Sequence, residues 1–148
     1  MRPDVLHLCG DIVAVPPEAV RRLRERIGAV RIMQAILITG PAAIDQADQF
    51  AQVADMLILD SDSAEIGGFG ATGAVHDWSL SRQIVERVEV PVILAVGLSP
   101  ENVVASIDAV RPWGVDSLTH TNVALPGGGF RKDLDLVAAF VRAARMHA

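Results

Sequence analysis

Residues 56–78 read MLILDSDSAEIGGFGATGAVHDW. An apolar run ends at Asp60, a polar and glycine-rich stretch follows, and a helical pattern resumes after Asp77 and Trp78. Inside the stretch Gly68, Gly70 and Gly73 spell G-x-G-x-x-G, the dinucleotide fingerprint. That fingerprint works because its first glycine turns the chain directly out of a strand and its last lets a helix pack close. Here Gly68 comes eight residues after Asp60, and the next helix begins only around Trp78. An acid about 20 residues on should close the second strand and hold a ribose. This chain has Ile93, Leu94 and Ala95 there. A Walker A loop fails too, since no Gly-Lys-Ser/Thr follows. The stretch therefore excludes both nucleotide folds, and its four glycines within 67–73 indicate a backbone that passes close to something else.

Working outward, short apolar runs alternate with helical patterns. Residues 4–8 predict a strand. Pro16 and Pro17 open a helix through about Ile27, because proline is tolerated at the first helical position, and Gly28 stops it. Residues 30–38 form a second strand and 42–53 a helix, with Ile44, Ala47, Phe50 and Ala51 at roughly helical spacing. Residues 56–59 are a third strand, followed by the glycine stretch and a helix over about 80–88. Residues 90–95 are a fourth strand. Ser99 reads as the N-cap of the next helix, with Pro100 at its first position and Glu101 in its first turn, running to about Val110. Residues 115–118 are a fifth strand, and 134–145 the last helix. Strands each followed by a helix mean parallel strands and α/β architecture. Cys9, Thr39, Asp60, Gly97 and Thr119 fall just past strand C-termini, the edge where α/β proteins bind ligands.

With 148 residues the chain suggests a single domain, 1–148, able to bury a real core. Aromatics are scarce, so Val, Ile, Leu and Ala must fill that core. A net charge of −5 argues against nucleic-acid and anionic-membrane partners. The arginines at 21, 22, 24 and 26 are interleaved by Glu18 and Glu25 and read as a solvated helix face. One cysteine excludes an intramolecular disulfide framework and a multi-cysteine zinc site, and suits a reducing cytoplasm. The N-terminal residues lack a signal-peptide pattern, and no run approaches 18 uninterrupted apolar residues.

LILD at 57–60, GATGAVHDW at 70–78, ILAVGLSPENV at 93–103, AVRPWGVD at 109–116 and RKD at 131–133 occur in one order. In that order the chain resembles phosphoribosylanthranilate isomerase, a (β/α)8 barrel of the tryptophan pathway. The resemblance spans nearly the whole chain but only the later part of the family barrel. DVLHLCGD at 4–11 resembles the family's fourth strand, which normally ends in Gln-Leu-His-Gly. The resemblance thus implies an incomplete TIM barrel of about five β/α units, with no counterpart of the first three.

The family's Amadori rearrangement needs an acid at the furanose oxygen and a base at the C2 proton. The resemblance makes Asp60 the general acid. The family base is a cysteine on the absent first strand. Cys9, followed by Gly10, is the chain's one candidate, though it aligns with the fourth strand where the family has histidine. His7 stands where the family has glutamine. Gly70 and Gly73 let the loop cross a sugar phosphate. Phosphate is expected at Val96, which replaces one of the family's paired glycines, at Gly97, and in the SLTHTN segment through Thr119, His120, Thr121 and Asn122. Asp116 matches a family position at the substrate. No cofactor and no metal are implied.

Two functions follow: a phosphoribosylanthranilate isomerase or divergent relative, or a non-catalytic sugar-phosphate-binding or oligomerising half-barrel. A third reading is a remnant, or a coding sequence that begins further upstream. Five strands cannot close a barrel of the usual shear, so open edges should drive homo-oligomerisation, recruit a complementary barrel fragment, or cause aggregation.

Overall fold

Five strands run parallel and lie side by side in chain order: β1 (Val5–Leu8), β2 (Arg31–Leu37), β3 (Met56–Asp60), β4 (Val92–Leu94) and β5 (Gly114–Val115). The computed structural model describes residues 3–9, 14–60 and 78–146. Four crossover helices connect the strands: α1 (Pro17–Ile27), α2 (Ala42–Ala51), α3 (Trp78–Arg87) and α4 (Val103–Val110). The parallel α/β expectation holds. Past β5 the chain makes a 3-10 turn at Thr119–Thr121 and an antiparallel hairpin, β6 (Asn122–Ala124) and β7 (Phe130–Lys132). It ends in α5 (Leu134–Arg145).

Local chemistry sets most boundaries. Pro17 sits at the start of α1, and Gly28 ends it at φ +64°, donating its N–H to Arg24 O at 3.2 Å. Asp133 caps α5 by accepting from the amides of Asp135 and Leu136. The capping role expected of Ser99 is only partly realised. Regular α4 starts at Val103, because a turn comes first: Ser99 Oγ accepts from Glu101 N at 3.2 Å, while Asn102 Oδ1 accepts from Ser99 N at 2.8 Å. The fifth strand is also shorter than 115–118, since Ser117 turns aside to donate to Leu98 O at 2.6 Å.

Period-two alternation divides the sheet into two faces. Ile32, Ile36, Leu57, Leu59, Val92 and Leu94 join Val20, Ala47, Phe50, Ile84, Val103 and Phe140 in one buried core. This is the helix-facing side. Met33, Ala35, Met56, Ile58 and Ile93 occupy the other face, and Asp60 continues their row.

The arginine cluster on α1 is mixed in role. Arg21 pairs with Glu18 at the surface, as a solvated face would. Arg24 instead reaches the N-terminal end of β3, where its Nη1 donates to Val53 O at 2.8 Å and its Nη2 pairs with Asp55 Oδ1. Asp55 Oδ2 also accepts from Ile32 N at 2.7 Å, so one carboxylate joins α1, β2 and β3. Charged hydrogen bonds of this kind contribute about 1.5–3 kcal/mol each, less where solvent screens them. Asp55→Ala should cost about 2 kcal/mol in urea denaturation; a loss below about 0.5 kcal/mol would refute the clamp.

Candidate functional site

The ladders continue past the strand ends and line up the polar residues there. Leu37 pairs with Asp60, Ile38 N donates to Asp60 O at 2.8 Å, Ala95 N to Leu59 O at 2.8 Å, and Asp116 N to Leu94 O at 2.9 Å. Since Leu59 pairs with Leu94 and Leu94 with Val115, Asp60, Ala95 and Asp116 stand level across neighbouring strands. Two strand spacings put the backbones of Asp60 and Asp116 roughly 10 Å apart. Asp60 and Asp116 are both exposed, and both follow rows on the face away from the helices.

His7 and Cys9 lie on that same face, because Leu8 between them packs against the core. Both are exposed, and Cys9 is a free thiol. His7 pairs with Met33, which pairs with Met56, so His7 is level with a residue four positions before Asp60. At about 3.3 Å per residue it sits roughly 13 Å lower along the strands. Cys9 comes closer, with roughly 12 Å between its backbone and that of Asp60. The fold therefore gathers Asp60 and Asp116 at one level, leaves Cys9 a step below, and leaves His7 away from them. Gly70 and Gly73 lie outside the described residues.

The loops after β4 and β5 are laced together. Gly97 adopts φ +64°, the left-handed region that suits glycine, and His120 Nε2 lies 3.7 Å from where a Cβ would be. Asn102 Nδ2 donates to Gly97 O at 3.2 Å, and Ser117 Oγ binds Leu98 O. Val96 is 5% exposed and its side chain belongs to the core, so only its backbone can face a ligand. Thr119 is exposed and His120 half-buried. The expectation that the Thr121 hydroxyl binds an anion fails. It is buried, donates towards Ser117 O and Leu118 O, and accepts from Lys132 Nζ at 2.7 Å.

Lys132 carries a role that its sequence context does not reveal. Its Nζ also donates to Leu118 O at 2.9 Å, pinning the 3-10 turn from the hairpin. The RKD segment marks the position, but the reach back over 14 residues is a property of the fold. Glu101 is likewise more than a helix-start acid. Hydrogen bonding to Ser99, then to its own backbone, and the nearby His120 hold its carboxyl below the usual range.

Comparison with known proteins assigns this arrangement. The model of the N-(5'phosphoribosyl)anthranilate (PRA) isomerase family matches residues 1–143. The chain belongs to the PRA isomerase family. It is 37% identical over 146 residues to N-(5'-phosphoribosyl)anthranilate isomerase of Methanocella arvoryzae, covering 99% of this chain and 64% of that one. With the Haloferax volcanii isomerase it shares 40% identity, over 97% of this chain and 58% of that one. The crystal structure of the Thermotoga maritima PRA isomerase superposes with a TM-score of 0.74 at 29% identity, covering 97% of this chain and 62% of that chain. A second Thermotoga maritima structure is that of monomers generated from the dimeric PRA isomerase. A further PRA isomerase structure holds reduced 1-(o-carboxyphenylamino)-1-deoxyribulose 5-phosphate. The chain thus spans about three fifths of the length of these PRA isomerases. Among the described residues no helix is long and apolar enough to cross a membrane.

Proposed function

We propose that this protein serves the PRA isomerase reaction: the Amadori rearrangement of N-(5-phosphoribosyl)anthranilate in tryptophan biosynthesis, in the cytoplasm and without a cofactor. The observation that carries it is Asp60, exposed at the last position of β3 and level with Asp116 on the face away from the helices. Asp60 donates a proton to the furanose oxygen. The ring opens to an aldimine, a base takes the C2 proton, and the resulting enol becomes the ketone. Asp116 orients the sugar. The loops carrying Val96, Gly97, Thr119 and His120 hold the phosphate at the C-terminal edge of the sheet, where such barrels bind it.

The base is the weak point, and it keeps a second reading in view. Cys9, the chain's one cysteine, lies on β1's edge-strand row rather than on a strand resembling the family's first. A non-catalytic sugar-phosphate-binding half-barrel would keep the phosphate loops and need no base.

β1 and β5 each have one neighbour in the described sheet, and Trp113 beside β5 is 70% exposed. A second copy, or a complementary barrel fragment, covers these edges. Incubation with phosphoribosylanthranilate should change its fluorescence as the rearrangement proceeds, and sedimentation should show an assembly larger than one chain. Saturable phosphate binding without turnover, from a preparation of any oligomeric state, would favour the binding module. A strictly monomeric, fully active chain would overturn the edge-covering assignment.

A further inference from the structure

Helix α5 carries more apolar surface than the core uses. Phe140 is buried in the core, and Ala143 and Ala144 pack beside it. A second stripe, Leu134, Ala138, Val141 and Arg145, recurs at steps of four, three and four residues. Such steps keep to one line down a helix and match the spacing of a helix–helix seam. Leu134 is 77% exposed and Val141 39%, so the stripe lies open. α5 packs against α4 and the 3-10 turn, and it follows β5, the last strand of the sheet. Among the described residues no further helix stands beyond it. The apolar surface continues at the C-terminal end of α5 into a cavity of about 160 Å³ lined by Ile107, Pro112, Trp113, Val115 and Ala144.

We propose that this stripe is the interface for a second copy of the chain, with the two α5 helices packed antiparallel. The proposal rests on reading the β5 side of the sheet as partnered, and charge selects the occupant. Asp135 and Arg142 lie one heptad apart and flank the stripe on the same side. Among the described residues neither is joined to another side chain by a salt bridge. An antiparallel copy brings each Asp135 against the second copy's Arg142, twice by symmetry, and sets opposite helix ends together. A parallel copy would set Asp135 on Asp135 and Arg142 on Arg142. The far edge of the sheet is a poorer match. There α1 shows Arg21, Arg22 and Arg26, and Val15 is the one large exposed hydrophobic among the described residues before Trp113. An apolar stripe flanked by self-complementary charges fits its own copy better than that arginine-rich helix. From Leu134 to Arg145 the seam is roughly 16 Å long, so the dimer is modest in strength and concentration-dependent.

Sedimentation equilibrium over a range of chain concentrations reads the association directly. Wild-type protein should pass from monomer to dimer as concentration rises. Val141→Glu puts a charge into the seam and should weaken association by about tenfold or more. Asp135→Arg and Arg142→Asp should each weaken it by about tenfold. The double variant should return to within about threefold of wild type, because the pairs re-form with their charges exchanged. Urea denaturation checks that each exposed substitution leaves the fold intact. Where Asp135→Arg loosens the first turn of α5, Val141→Glu keeps the test. A dimer that Val141→Glu and the charge exchanges leave unchanged overturns the α5 seam while leaving the β5 side partnered. A wild-type chain that stays monomeric overturns the seam. If that monomer binds the part of the Methanocella arvoryzae isomerase outside its match to this chain, the edge belongs to a complementary fragment. A monomer that binds neither overturns the partnered-edge reading as well.

Discussion

Under the proposed function, Asp60→Asn should lower the rearrangement rate by on the order of a thousandfold, with little change in the affinity for sulfate at the phosphate loops. The amide keeps the size and the hydrogen-bonding shape of the carboxyl but has no proton to give at neutral pH. Ring opening then leaves the furanose oxygen with a developing negative charge that nothing neutralises. The backbone of residue 60 is fixed by the ladder, since its carbonyl accepts from Ile38 N at 2.8 Å and its neighbour Leu59 is fully buried. The substitution therefore leaves the strand in register. A rate within about threefold of wild type would remove Asp60 from the acid role. A parallel loss of sulfate affinity would mean that the change had disturbed the whole edge, not one proton transfer.

Asp60 is legible in the sequence because its signal is local: an apolar run stops at a carboxylate, and a glycine stretch follows. The same holds for α1 and α5, whose ends are written by Pro17, Gly28 and Asp133 within one turn of each boundary. The helix-facing core is legible too, through Ala47 and Phe50 on α2 and the run of β3. Features that sequence patterns miss depend on contacts between distant residues or on very short elements. The α4 start lies at Val103 because Asn102 turns its side chain back to Ser99. The β6–β7 hairpin has only three residues per strand and no alternation long enough to announce it. Thr121 has the chemistry of an anion ligand, yet Lys132, eleven residues on, occupies its hydroxyl. His120 stands out by residue type, but its position over Gly97 is a property of two loops meeting.

The core predicts its own large effect, well separated from the chemistry. Phe50 on α2 is 2% exposed and packs with Ala43 and Ala47 from its own helix against the buried side of the sheet. Phe50→Ala should destabilise the fold by about 3–5 kcal/mol, the transfer cost of the ring plus the cavity it leaves. The alanines on the same face are too small to move in and fill that space. Phe130, 60% exposed on the hairpin, is the control, and Phe130→Ala should change stability by no more than about 0.5 kcal/mol. Because Phe50 lies on the opposite face of the sheet from Asp60 and Asp116, Phe50→Ala protein that remains folded at low temperature should bind sulfate as wild type does. Equal losses for the two phenylalanines in urea denaturation would contradict the assignment of the core to the helix side. Weakened sulfate binding by folded Phe50→Ala protein would show instead that the two faces are mechanically coupled through β2 and β3.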